Sequence, residues 1–99
     1  MIKHIVMWKL RDFSEEEKLQ HCEKAKRDLE GLSGIIPELK AIEVGININK
    51  TPAAYDLVLY SEFENEEELN IYQSHPEHVK VGKFIKEIVQ SRVVTDYNV

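Results

Sequence analysis

The opening segment, Ile2–Leu10, constrains the fold more than any other stretch of the chain. Ile2, His4, Val6, Trp8 and Leu10 fall on one side of a period-two alternation, and Lys3, Ile5, Met7 and Lys9 on the other. Successive side chains of a strand point to opposite faces, so this pattern predicts a strand with two distinct surfaces. Both surfaces are apolar through the middle, where Val6 and Trp8 are backed by Ile5 and Met7. A strand of a one-sided sheet would show a polar outer face instead. The segment therefore needs cover on both sides, and it carries a histidine, His4, into an apolar setting.

The following residues supply the first cover. Ser14 and Glu17 have the spacing of a capping box, and Leu19, Cys22, Ala25, Leu29 and Leu32 then form an apolar stripe on a charged helix ending near Gly31. A second strand is predicted at residues 39–48, with Ile42, Val44, Ile46 and Ile48 on one face. Turn chemistry from Asn49 to Pro52 joins it to a third strand at 55–63, giving an antiparallel hairpin. Asn65 with Glu68 starts a short helix bearing Leu69 and Tyr72, and Pro76 interrupts it because the residue before a proline is pushed out of helical geometry. Another helix is predicted at 77–88 and a closing strand at 91–99.

Strand, helix, two strands, a helix pair and a strand make the α+β, ferredoxin-like βαββαβ arrangement. Its four-stranded antiparallel sheet has helices on one face, with the first and third strands central. The third strand repeats the two-sided pattern of the first, Val58 and Tyr60 backing Leu57 and Leu59. Helices cover only one of those faces. The second calls for another subunit, so the expectation is a homodimer joined through the sheet face as a dimeric α/β barrel.

Composition agrees and excludes several classes. The 99 residues read as a single domain, 1–99, and a chain of this size buries only roughly 60–65% of its unfolded surface, so a second subunit would help. A net charge of −5 leaves no basic footprint for duplex nucleic acid. Lys80, Lys83 and Lys86 recur at helical spacing and read as a solvated helix face. No apolar run approaches the roughly 20 residues that span a bilayer, and no small-residue cleavage site follows the apolar start, so no membrane contact and a cytoplasmic location are expected. The one cysteine, Cys22, has no internal partner and reads as a small core residue.

The chemistry concentrates in Tyr72-Gln73-Ser74-His75-Pro76-Glu77-His78 and in His4. Imidazole is the side chain whose ordinary pKa lies nearest neutrality, which suits it to proton transfer. His78 shares helical spacing with Val81, Ile85 and Ile88, which turns it toward the sheet, and the topology brings His4 to the same end. Tyr72 lies one turn beyond Leu69 on the inward side. His75 either lines this site or bonds local backbone at the helix boundary, and His21 is expected to be exposed. Trp8, Phe63 and Phe84 are candidates to fill the enclosed volume. His75 and His78 are three apart, yet no Cys/His grid or His-Glu-x-x-His spacing accompanies them, so no metal is assigned. The glutamates at 62, 64, 66, 67 and 68 fit the favourable placement of anions at a helix start. No phosphate-binding glycine loop or nucleophile elbow is present, and no cofactor is called for.

In order and spacing, His4-Ile5-Val6, Tyr55-Asp56-Leu57-Val58-Leu59 with Phe63, Tyr72-x-x-His75-Pro76-x-His78 and Val93-Val94-x-Asp96-Tyr97 resemble the stress-responsive A/B barrel (Dabb) family over nearly the full length. The resemblance implies a dimeric α+β barrel. Most members are small proteins of unassigned activity, some are associated with stress, and a plant branch cyclises polyketides by an intramolecular aldol condensation. In that branch the residues matching His78 and Tyr72 act in the reaction, and the one matching His4 lines the pocket. Two functions follow as expectations: a dimeric barrel binding a small organic ligand through His4, Trp8 and His75, or a cofactor-free cyclase or lyase. In the second, His78 would be the general base and Tyr72 the hydrogen-bond donor on a β-dicarbonyl or polyketide-like substrate. Haem- or quinol-directed oxygen chemistry has no independent signal. Asp96-Tyr97 is expected to pair across the dimer or to seal the sheet edge.

Overall fold

The computed structural model describes residues 1–99. The chain runs β1 (Ile2–Leu10), α1 (Glu15–Glu30), β2 (Ala41–Ile46), β3 (Leu57–Phe63), α2 (Glu66–Ser74), α3 (Pro76–Ile88) and β4 (Val89–Asn98). The strands form one antiparallel sheet in the order β2-β3-β1-β4, as a ferredoxin-like fold requires.

Local chemistry sets the helix ends. Ser14 caps α1 in a complete capping box with Glu17, and Glu15, Glu16 and Glu17 place negative charge in the first turn. Asn65 caps α2 by accepting the Glu68 N–H. Pro76 forces His75 into extended geometry (φ −62°, ψ 135°), which ends α2, and then opens α3 from a position where its missing N–H costs nothing.

The inner face of the sheet makes the core. Val6 pairs with Leu59 and Trp8 with Leu57, and these four pack with Val44, Phe63, Leu29, Ile85 and Ile88 beneath the helices. The outer face carries Ile5, Met7, Val58, Tyr60, Val93 and Tyr97, with Met7 lying between Val58 and Val93 in register. Met7, Val58, Val93 and Tyr97 are 36–45% exposed. The two-sided pattern of the central strands is thus present, with one side buried and the other bare on a single chain. Lys3 crosses part of that face, donating to the Tyr60 hydroxyl at 2.5 Å and pairing with Glu62 at 3.5 Å.

Several sequence expectations need correction. β2 stops at Ile46 rather than 48, because the Asn47 side chain turns back on the Asn49 backbone, donating to its carbonyl and accepting from its N–H, and Ile48 is left 90% exposed. Leu19 leaves the α1 stripe and is exposed, whereas Cys22, Ala25 and Leu29 are buried as expected. His21 is half-buried rather than exposed, its ring lying 4.6 Å from that of Phe13 and 6.1 Å from that of Phe84. Phe84 therefore belongs to the α1–α3 contact and fills no part of the space beside His78. No helix is long and apolar enough to cross a membrane.

Candidate functional site

His4 reaches the helix side of the sheet because β1 alternation puts it on the face of Val6 and Trp8, and it is buried there. Register places Asp96 of β4 directly beside it. His4 Nδ1 bonds the Asp96 carboxylate, and no other hydrogen bond to the ring is present. An ionised carboxylate only accepts, so Nδ1 carries a proton, and Nε2 has no partner in the protein. Asp96 itself is substantially exposed, its side chain retaining 43% of its accessible surface. Within the chain, Asp96 holds the ring of a buried histidine.

His78 arrives on the first turn of α3, aimed inward by the Pro76 start. Its Nδ1 lies 3.0 Å from the Gln73 carbonyl, which again only accepts, so this ring too holds its proton on Nδ1 and leaves Nε2 free. Burial lowers its pKa, the Gln73 carbonyl opposes that shift, and positive charge at His4, Arg92 or His75 adds to the lowering. The resting ring is neutral at pH 7 and competent to take a proton.

Tyr72 projects from α2 and is completely buried, with ring centroids 5.0 Å from Phe63 and 4.5 Å from His78. Its hydroxyl is the one buried side-chain polar atom with no hydrogen-bond partner. Burial pushes its pKa up to about 12, so it stays protonated and can act only as a neutral donor or acceptor.

Between α3, α1 and the inner face of the sheet lies a cavity of about 310 Å³. His4, Val6 and Trp8 of β1 form its floor with Leu59, Leu29 closes one side, and His78, Gly82, Ile85 and Lys86 line it from α3. The α3 set recurs at i, i+4, i+7 and i+8, one face of a helix. Gly82 keeps the space open, since a Cβ built there would meet nothing within 4 Å. Exposed Lys86 and Arg92 stand at the mouth. The sequence-predicted residues divide accordingly. His4, Trp8 and His78 share the wall. Tyr72 lies behind His78 rather than on the wall. His75 is not on the wall, because its Nδ1 accepts the Glu77 N–H at 3.1 Å as the α3 cap.

Sequence reasoning missed Gly82, Lys86, Arg92 and the Asp96 partner. A glycine inside a helical pattern is a usable signal, because it costs about 1 kcal/mol relative to alanine and so tends to have a packing reason. Arg92 and Asp96 carried none, because a strand at the sheet edge alternates too weakly to fix which side chains turn inward. A larger cleft of about 730 Å³ lies toward the far end of β1, between the start of α1 and the β2–β3 loop. It contains no histidine and is walled mainly by exposed charged and amide side chains, so the smaller cavity is the better candidate for chemistry. No group of three or more His, Cys, Asp or Glu side chains is gathered in a way that could hold a metal ion.

Comparison with known proteins agrees with the fold. A dimeric protein of unknown function and ferredoxin-like fold from Bacteroides fragilis is 42% identical, with a TM-score of 0.91 over 99% of this chain and 95% of that one. A hydroxynitrile lyase from Passiflora edulis is 17% identical, with a TM-score of 0.78 over 99% of this chain and 92% of its own; that likeness extends to the fold alone. The stress-response A/B barrel domain-containing protein DABB1 of Arabidopsis thaliana is 26% identical over 98% of this chain, which spans only 46% of that protein's length. The model of the stress responsive A/B barrel domain matches residues 2–99, and the chain belongs to that family, Dabb.

Proposed function

We propose that this chain forms a homodimer through the outer face of its sheet and binds a small organic molecule in the cavity beneath α3. One observation carries the reading: His4 and His78 share the wall of a 310 Å³ cavity, each with Nδ1 committed to an acceptor and Nε2 without a protein partner. Small-molecule sites are mostly apolar clefts of roughly 300–1,000 Å³ with a few convergent polar groups. Val6, Trp8, Leu29, Leu59 and Ile85 supply the apolar lining. The dimer is supported by the bare apolar outer face and by the dimeric relative from Bacteroides fragilis.

A second reading, a cofactor-free cyclase or lyase, is favoured by the state of Tyr72 and His78. A neutral His78 would remove a proton held between two carbonyls, and the unpartnered Tyr72 hydroxyl, which lies behind the His78 ring, would donate to the enolate once a shift of that ring opens it to the cavity. General-base assistance of this kind is worth about 10²–10⁴ in rate, enough only for an already acidic C–H. Titration of ¹⁵N-labelled protein with a panel of small aromatic and β-dicarbonyl compounds tests both readings. Binding is expected to shift the ring signals of His4 and His78 and the Trp8 indole together. Shifts confined to residues outside the cavity, or none with any compound, would refute the binding reading. Binding without turnover of any dicarbonyl would refute the enzyme reading.

A further inference from the structure

The cavity wall carries charge of one sign. Its lining includes Lys86 and Arg92 and not one aspartate or glutamate, in a chain whose net charge is −5. Neither cation is neutralised within the protein: the ion pairs present engage Lys3, His4, Lys18, Lys24, Lys26, Lys40 and Lys80, and neither Lys86 nor Arg92. The nearest carboxylate on the same strand face, Asp96, is committed to His4. Arg92 pairs in register with Trp8, which sets it on the helix side of the sheet at the rim of the cavity, away from the outer face. Lys86 stands opposite on the same α3 face as His78 and Gly82. An apolar interior with two uncompensated cations at its mouth is complementary to an amphipathic anion.

Resting on the binding role proposed above, we infer that the ligand is an organic acid. Its apolar body, of the size of a single substituted ring, lies against Trp8, Leu59 and Ile85. Its carboxylate sits at the mouth between Lys86 and Arg92. Arginine offers a planar pair of N–H donors that matches a carboxylate, and lysine adds a second charge without fixed geometry. The unpartnered Nε2 atoms of His4 and His78 then face the body of the ligand, where that of His78 can accept from a hydroxyl or an acidic C–H, while the charged end is held apart from them.

Benzoate and its neutral counterpart benzamide form the test, with affinities measured by calorimetry or by the Trp8 indole shift. Benzoate is expected to bind about tenfold more tightly, a difference of about 1.4 kcal/mol, and the preference should shrink as salt is raised. Arg92→Gln and Lys86→Gln are each expected to erode the preference for benzoate over benzamide while leaving the melting temperature unchanged, since both side chains are exposed and without an ion-pair partner. Equal binding of the two probes, or a preference that survives the double variant, would overturn the organic-acid assignment and leave the binding cavity standing. Failure of both probes and of every neutral compound in the aromatic panel would overturn the cavity reading itself.

Discussion

Replacing Tyr72 with phenylalanine separates an open donor from a satisfied one. The ring is fully buried against Phe63 and His78 and would keep those contacts, so the variant removes only the hydroxyl. A buried polar group without a partner costs roughly 1–3 kcal/mol of stability, whereas a bonded one contributes about 1 kcal/mol. The hydroxyl has no partner in the protein, and the void left by one oxygen returns part of the gain. A net stabilisation of about 1 kcal/mol is expected, which raises the melting temperature by about 4–8 °C for a domain of this size. Thermal unfolding followed by circular dichroism is the assay, run at one protein concentration because dimerisation couples to stability. A Tyr72→Phe protein that melts lower than the wild type would refute the reasoning, because it would mean the hydroxyl is already bonded in the resting state.

Three other outcomes follow from the same geometry. Burial holds the His78 pKa below 6.5; its neutral form is favoured by the fold, so its contribution is complete above that value and is lost as the pH falls through the depressed folded pKa. The wild type should lose stability on acidification below pH 6.5 more steeply than His78→Gln, as denaturant midpoints would register. Met7→Lys with Val93→Lys, two charges on the bare outer face, should convert a dimer to a monomer in light scattering; a dimer that persists would place the interface elsewhere. Burial pushes the Cys22 thiol up to about 11, so alkylation of the native protein should be far slower than after unfolding, and equal rates would contradict its place in the core.

The fold was legible because its signals are local and repeated. Ser14 with Glu17, Asn65 with Glu68 and Pro76 mark helix starts through capping chemistry that acts within one turn, and the alternation of β1 and β3 marks two-sided strands. Where packing decides, the sequence misleads. Ile48 continues the β2 alternation but lies within the Asn47–Asn49 turn, and Leu19 continues the α1 stripe but is left exposed. The candidate site shows the same division. His4 and His78 were readable from periodicity, but whether each ring nitrogen is free depends on the Asp96 carboxylate and the Gln73 carbonyl. Those contacts are set by strand register and by the break at Pro76. Tyr72 reads as inward, but only the packed structure shows that its hydroxyl stops short of the cavity wall and has no partner.

Gly82 offers the most direct test that the space beneath α3 is the binding site. A Cβ there would meet open space on the cavity wall, so Gly82→Leu is expected to fill the cavity and, by replacing a helix glycine, to hold or raise the melting temperature. Affinity for the tightest-binding compound of the aromatic panel is the measurement. The expected result is a folded, thermally stable Gly82→Leu protein whose binding is lost; a folded variant that binds as tightly as the wild type would contradict the assignment of ligand binding to this cavity.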